Sequence, residues 1–104
     1  MTDGSLSLEP AIERRVLELL EESRALGFLG PGPVDEHVAH ALDFAALAAA
    51  FHPARVLDLG SGGGLPGLVV FAALSVGGVL LDAQQRRTSF LSAAVERLGW
   101  GDRV

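Results

Sequence analysis

The hydrophobic pattern changes its period once along this chain of 104 residues. Before Pro53, apolar residues recur at the three- and four-residue spacing of amphipathic helices. After Pro53, short aliphatic runs alternate with glycine clusters and with longer helical patterns. Short apolar runs bounded by turn residues are typical of buried strands. The pattern therefore predicts two N-terminal helices followed by β-α-β-α-β, which is the opening of a parallel α/β sheet.

The two N-terminal helices are predicted at residues 7–26 and 35–51. We expect Ser7 and Asp35 to act as their N-caps, because short polar side chains accept hydrogen bonds from the free N–H groups of a first turn. Gly27 is expected to end the first helix. Together these elements make residues 1–53 an N-terminal helical segment.

Residues 54–104 contain the predicted sheet. The expected elements are buried strands at 55–59 and 79–82, helices at 66–76 and 86–98, and the start of a third strand at 102–104. The pair Gly77-Gly78 is expected to end the helix before the second strand begins. A chain of this length has room for one compact domain, so both segments should share one core.

Composition excludes several classes of protein. The formal net charge is −5, which argues against a general basic clamp for nucleic acid. There is no cysteine, so disulfide scaffolds and cysteine-based sites are excluded. The N-terminus, at residues 1–4, is polar and acidic, unlike a signal peptide. The 23 uncharged residues between Asp58 and Asp82 include seven glycines, which argues against a membrane span and favours a cytoplasmic protein.

The sharpest motif is the segment 58–67, DLGSGGGLPG, between the first strand and the next helix. Glycine lets a backbone adopt positive φ and approach a ligand closely. The following helix would point its free N–H groups toward the same crevice. This arrangement suits a nucleotide-like ligand at the carboxyl end of a strand.

The motif fits two patterns. Residues 62–67 match G-x-G-x-x-G, the dinucleotide fingerprint, and residues 58–64 match D-x-G-x-G-x-G, the pattern of class I methyltransferases. The second is better placed, because the strand ends at Leu59 and leaves Asp58 at its tip. A carboxylate there opposes a pyrophosphate but favours the positive amino group and sulfonium of S-adenosylmethionine. The expected cofactor contacts in this segment are Asp58, Gly60, Ser61, Gly62, Gly63, Gly64 and Leu65.

Asp82 is the acidic partner of this loop. It ends the second predicted strand, 22 residues after Gly60, where a carboxylate accepts hydrogen bonds from ribose hydroxyls. The alternative role is to cap the helical segment that begins near Gln84. With the ribose in place, Ala83 and Gln84 would lie beside the adenine.

Two pairs of residues are candidates for substrate contact. His37 and His40 are spaced i, i+3 on one face of the second helix, where they would at most line the substrate entrance, since a metal site needs more ligands. Arg86 and Arg87 open a helix, where positive charge opposes the helix dipole. Contact with RNA phosphate and pairing with Asp82 are both open explanations.

Several segments resemble the RsmG (GidB) family of methyltransferases that act on small-subunit ribosomal RNA. The resemblance covers about residues 26–104 and rests on the segments 56–67, 80–82 and 86–91 together with the lead-in at 29–31. It implies the first half of a class I methyltransferase, Rossmann-like, parallel sheet that binds S-adenosylmethionine. It also implies methyl transfer to guanine N7, with ribosomal RNA or the small ribosomal subunit as partner. Because N7 carries no proton to lose, positioning and electrostatics would carry the catalysis.

The chain departs from that family in two respects. Family members are about twice as long, and their asparagine-bearing lead-in motif is absent because the chain has no asparagine. An inactive fragment or cofactor-binding module, and a nicotinamide-dependent oxidoreductase, therefore remain alternatives. A short parallel sheet also has open edges and one face that we expect to be poorly covered, so we expect marginal stability or self-association.

Overall fold

The computed structural model describes residues 6–104 as an α/β fold. The elements, in chain order, are α1 (Pro10–Ala25), α2 (Val34–Ala49), β1 (Arg55–Leu59), α3 (Gly67–Ala73), β2 (Gly77–Leu81) and α4 (Gln85–Arg97). This order confirms the predicted α/β class. The polar start at residues 1–4, on which the expectation of no signal peptide rests, lies outside the described residues.

Neither predicted N-cap of the N-terminal helices forms. Helix α1 begins at Pro10, and the carboxylate of Glu9 accepts hydrogen bonds from the N–H groups of Ala11 and Ile12. Ser7 lies outside this turn. Helix α2 begins one residue before Asp35, with Pro33 at the cap position and no side-chain cap. Proline fixes φ near the helical value, so the loop itself sets the start of α2.

Strands β1 and β2 pair in parallel, with Arg55 opposite Gly77 and Leu59 opposite Leu81. The pair Gly77-Gly78 begins β2, so the prediction that it ends the helix and precedes the strand was wrong. The reason is tertiary: a Cβ atom at Gly78 would collide with the carbonyl of Val56 on β1 and come within 2.7 Å of the Phe71 ring. Glycine at this position lets α3 pack directly on the strand. Helix α3 correspondingly ends at Ala73, earlier than predicted.

Residues 102–104 form a turn and not the start of a third strand. The carbonyl of Arg103 accepts one hydrogen bond from the N–H of Gly78, at 2.8 Å. Its guanidinium donates to the carbonyls of Phe71 and Val76, at 3.0 and 2.7 Å. Arg103 thereby satisfies carbonyls at and beyond the end of α3, which accounts for its place beside β2.

The helices cover one face of the sheet and leave the other bare. The core consists of apolar residues from all four helices, with Val56 and Leu80 of the sheet packed against it. The alternate strand residues are exposed: Leu57 by 61%, Leu59 by 75%, Val79 by 45% and Leu81 by 47%. The prediction of buried strands was therefore wrong for this face, which no helix among the described residues covers. Within residues 6–104 there is also no helix long and apolar enough to cross a membrane.

Candidate functional site

The turn between β1 and α3 and the turn between β2 and α4 meet at the carboxyl ends of the two strands. The carbonyl of Leu81 accepts hydrogen bonds from the N–H groups of Gly60 and Ser61, each at 2.8 Å. The N–H of Gly62 donates to Oδ2 of Asp82, at 2.9 Å. The structure thus brings together the glycine loop (residues 60–66) and Asp82, the two parts that the sequence analysis singled out.

Ser61 fastens the base of the glycine loop. Its side chain is fully buried. The hydroxyl donates to the carbonyl of Asp58 at 2.9 Å and accepts from the N–H of Leu81 at 3.0 Å. The hydroxyl therefore joins the two strand ends to each other, and any ligand contact by Ser61 falls to its backbone.

The glycines of the loop face different surroundings. Gly60 and Gly62 have φ of 76° and 54°, a region that side chains disfavour. A Cβ atom at Gly60 would meet nothing within 4 Å, and one at Gly62 would meet only the carbonyl of Gly60, at 3.9 Å. These two residues border open space at the strand ends. Gly64 has φ of 106°, and a Cβ atom there would lie 2.6 Å from the Leu68 side chain, so both the backbone conformation and the packing favour glycine.

Gly63 packs against the N-terminal helical segment. Its carbonyl accepts a hydrogen bond from the hydroxyl of Ser23, at 2.8 Å. A Cβ atom at Gly63 would lie 2.5 Å from that hydroxyl and 2.6 Å from the carbonyl of Phe28. Ser23 was not among the residues predicted from the sequence to contribute to the site. The available signal was its position, since it continues the buried stripe of Val16, Leu19 and Leu20 along α1.

Asp58 lies on the helix-covered face of the sheet. Its Oδ2 atom is buried and has no hydrogen-bond partner among the described residues. It lies against Gly67, the first residue of α3, where a Cβ atom would collide with it. Burial raises the pKa of Asp58, and nearby hydrogen-bond donors only partly offset this. The carboxylate is thus a strand-tip charge that the protein itself leaves without a full set of partners.

Asp82 is held firmly by backbone donors. Oδ1 accepts from the N–H of Gln84 and Oδ2 from the N–H of Gly62, both at 2.9 Å, and the side chain is 8% exposed. These hydrogen bonds, led by that of Gln84, hold the pKa of Asp82 below its usual value, and Arg87 at 4.0 Å adds to the effect. A carboxylate offers about four acceptor positions, so further donors are still accommodated.

The capping role considered for Asp82 is partly realised. Gln84 itself is the N-cap of α4, and Asp82 organises the turn before it. Ala83 and Gln84 are both exposed at the rim of the crevice. Leu65 is half-buried and packs on the core beside the loop.

The two histidines have their contacts in the N-terminal segment and not at the glycine loop. Nε2 of His37 lies 3.3 Å from the carbonyl of Gly30. The His40 ring packs edge-on against Phe44, with the ring centroids 5.7 Å apart. Among residues 6–104 no three His, Cys, Asp or Glu side chains are grouped so as to hold a metal ion.

Arg86 and Arg87 both pack on Phe28. Their guanidinium carbons lie 5.3 and 6.0 Å from the centroid of its ring, and Phe90 contacts the same ring edge-on at 5.9 Å. Arg87 also lies beside Asp82, as one of the two explanations predicted. A groove beside this cluster is lined by Leu26, Phe28, Gln85, Arg86, Ser89 and Phe90.

Known proteins similar to this chain agree with one another. The family model for GidB, rRNA small subunit methyltransferase G, matches residues 11–102. Ribosomal RNA small subunit methyltransferase G from Acidothermus cellulolyticus is 38% identical over 100 residues, which are 89% of this chain and 43% of that protein. The protein of the same name from Leifsonia xyli is 34% identical, with 95% of this chain and 54% of that protein covered.

A third relative matches a shorter segment of this chain with higher sequence identity. The ribosomal RNA small subunit methyltransferase G of Salinispora arenicola is 54% identical over 54 residues, which are 49% of this chain and 22% of that protein. The chain therefore spans about half, or less, of the length of the relatives that it matches. No solved structure matches it significantly.

Proposed function

Because the chain belongs to the GidB family of small-subunit rRNA methyltransferases, we propose that it supplies the S-adenosylmethionine-binding part of a methyltransferase for guanine N7 in small-subunit ribosomal RNA. The observation that carries this proposal is the attachment of the glycine loop to Asp82 at the carboxyl ends of β1 and β2. That edge is where α/β sheets of this type bind nucleotide-like ligands. Work on ribosomal RNA would place the protein in the cytoplasm.

The residues at the crevice fit this cofactor in shape. Gly60 and Gly62 leave open space at the strand ends, which a side chain would otherwise fill. We assign the ribose hydroxyls to the remaining acceptor positions of Asp82, and the adenine to the exposed rim at Ala83 and Gln84. Backbone groups of the loop would contact the rest of the cofactor.

The residues also fit it in charge. When bound, S-adenosylmethionine supplies an electrophilic methyl group on a sulfonium, beside a positively charged amino group. We assign that amino group to Asp58, whose buried Oδ2 has no partner within the described residues. The lowered pKa of Asp82 keeps it ionised at neutral pH. Two carboxylates at one crevice oppose a pyrophosphate, which argues against a nicotinamide dinucleotide as the ligand.

The proposed reaction requires no general base from the chain. The lone pair of guanine N7 attacks the methyl carbon in line, and N7 has no proton to lose. The crevice residues would therefore act by holding the cofactor in one orientation and keeping water out of the site. No residue is assigned as a general base.

We assign the RNA-facing side to the groove beside Arg86. Arg87 is engaged by Asp82, whereas Arg86 is exposed and held over Phe28 by its guanidinium. An exposed arginine beside an aromatic ring suits a phosphate together with a stacked base. His37 and His40 have their contacts elsewhere, and we give them no more than a secondary role at the substrate entrance.

A self-associating protein is the second part of the proposal. Among residues 6–104, β1 has a partner strand on one edge only, and its residues Leu57 and Leu59 on the bare face are exposed. Open edges with exposed apolar residues are sites of strand pairing between chains. We propose that a second copy pairs with this edge and continues the sheet from one copy into the other, which places the exposed leucines of the two copies side by side on one face.

Chemical-shift mapping tests the proposed site. S-adenosylhomocysteine added to the ¹⁵N-labelled chain is expected to shift the amide signals of Gly60, Gly62, Ala83 and Gln84. The exposed C-terminal turn at Gly101 serves as the internal control. Shifts confined to other parts of the chain, or no shifts in a folded sample, would contradict the assignment.

A further inference from the structure

We propose that Ser23, on α1, is a positioning residue for the cofactor site: its hydroxyl holds the glycine loop in its binding shape from the side of the N-terminal helices. The inference rests on the proposed function for its readout on ligand affinity. It assigns to the N-terminal segment a part in forming the site, beyond covering the sheet.

Ser23 makes one hydrogen bond to the glycine loop and another within the end of α1. The Ser23 side chain is completely buried, and its hydroxyl donates to the carbonyl of Gly63 at 2.8 Å. Its own carbonyl accepts from the N–H of Phe28 at 2.9 Å, while the N–H of Gly27 donates to the carbonyl of Arg24 at 3.0 Å. These two backbone bonds form a Schellman motif at the end of α1. The helix end is therefore fixed before it meets the loop.

The loop is held from two sides at neighbouring residues. The N–H of Gly62 is bound by Asp82, and the carbonyl of Gly63 is bound by Ser23. Gly63 also fits closely between Ser23 and the carbonyl of Phe28, since a Cβ atom there would lie within 2.6 Å of both. The peptides that border the open crevice thus have little freedom to rotate. Such preorganisation favours binding, because less ordering is required when the ligand arrives.

Loss of the hydroxyl affects this peptide specifically. Without a donor at position 23, the buried carbonyl of Gly63 has no partner, and an unsatisfied buried acceptor is costly. The loop then gains from turning that carbonyl toward water. Bound ligand would have to restore the original shape, so part of the cost appears as weaker binding.

A serine with a merely structural role behaves differently. It would lower the melting temperature but leave ligand affinity unchanged at temperatures where the chain stays folded. It would also change amide exchange throughout the core and not at the loop. Affinity and local exchange therefore separate the two roles, whereas stability alone does not.

The test compares Ser23→Ala with Ser92→Ala, which removes an exposed hydroxyl from α4. Calorimetric titration with S-adenosylmethionine is expected to give a dissociation constant about three- to tenfold higher for Ser23→Ala, and an unchanged one for Ser92→Ala. Hydrogen exchange of the ligand-free protein is expected to accelerate at the amides of residues 62–65, with the β1–β2 ladder unchanged.

Each outcome decides the inference. Unchanged affinity and unchanged loop exchange in folded Ser23→Ala would overturn it. If Ser23→Ala does not fold, Ser23→Cys keeps a weak donor, and its dissociation constant should be higher than that of the wild type; an equal constant with unchanged loop exchange would overturn the inference. If the wild type does not bind S-adenosylmethionine, the proposed function fails, and the exchange measurement still decides whether Ser23 holds the loop.

Discussion

Asp58 and Asp82 are the two carboxylates that we assign to the cofactor, and the fold shifts their pKa values in opposite directions. Burial raises the pKa of Asp58, while backbone hydrogen bonds lower that of Asp82. A raised carboxyl pKa favours the folded state below the unfolded pKa and opposes it as the pH rises through the folded pKa. Asp58 therefore reduces stability at neutral pH, whereas Asp82 adds stability that is lost on acidification.

The substitution Asp58→Asn should exchange function for stability. At pH 7 we expect a melting temperature a few degrees above that of the wild type, because the uncharged amide avoids the desolvation of a carboxylate. The gain should shrink as the pH falls toward the unfolded pKa, about 3.9, and disappear below it, where Asp58 becomes protonated in both states. Affinity for S-adenosylmethionine should fall about tenfold with the loss of the charge. Thermal melts across pH and calorimetry measure the two effects, and a lower melting temperature at pH 7 would refute the assigned cause.

At the residue scale, the glycine motif and its spacing to Asp82 predicted the candidate site, whereas composition only excluded classes of protein. The spacing from Gly60 to Asp82 predicted two turns that meet, and they do, because parallel neighbours bring their carboxyl ends to one edge. It did not reveal why Gly63 is a glycine. That depends on Ser23 and Phe28, which are distant in sequence and become neighbours only in the fold.

At the scale of elements, strand positions were predictable and their surroundings were not. Both strands fall within two residues of their predicted starts, since aliphatic runs bounded by turn residues mark them. The Gly77-Gly78 pair was misread as a helix break, because the close approach of Gly78 to the Val56 carbonyl and the Phe71 ring exists only in the fold. The predicted caps were also wrong. Helix α1 begins at Pro10, so the carboxylate of Glu9, and not the hydroxyl of Ser7, is placed to accept hydrogen bonds from the first turn.

The contact between α3 and β2 should depend on Gly78. In Gly78→Ala the new methyl group would collide with the carbonyl of Val56 and overlap the Phe71 ring, and overpacking of this kind costs about 2 kcal/mol or more. We expect the melting temperature to fall by about 10 °C, as measured by circular dichroism. Gly101→Ala is the matched control, because a Cβ atom there meets nothing within 4 Å. Equal melting temperatures for the two variants would contradict this packing.

At the scale of the whole molecule, the bare sheet face contradicts the prediction of buried strands but agrees with the expectation that so small a sheet leaves one face poorly covered. Alternation along a strand shows which residues share a face, but a sequence pattern does not tell whether anything covers that face. Exposed leucines on both strands form a continuous apolar surface beside the free edge of β1. Such surfaces mark interaction sites in soluble proteins.

Self-association should therefore depend on this surface. Sedimentation velocity is expected to detect a reversible dimer of the wild type as its concentration rises. Leu59→Glu should give a monomer, because it places a charge on the shared face. Leu26→Glu alters another exposed leucine, away from the sheet, and should leave the dimer intact. A wild type that remains monomeric at all concentrations would show that the edge does not pair.

Calorimetric titration with S-adenosylmethionine, with NAD in parallel, tests whether the glycine loop and Asp82 bind this cofactor. We predict saturable binding of S-adenosylmethionine and none of NAD, with Asp82→Ala about tenfold weaker or worse and Asp102→Ala, an exposed aspartate of the C-terminal turn, unchanged. Binding of NAD in preference, or equal binding by Asp82→Ala, would contradict the assignment of the glycine loop and Asp82 to S-adenosylmethionine.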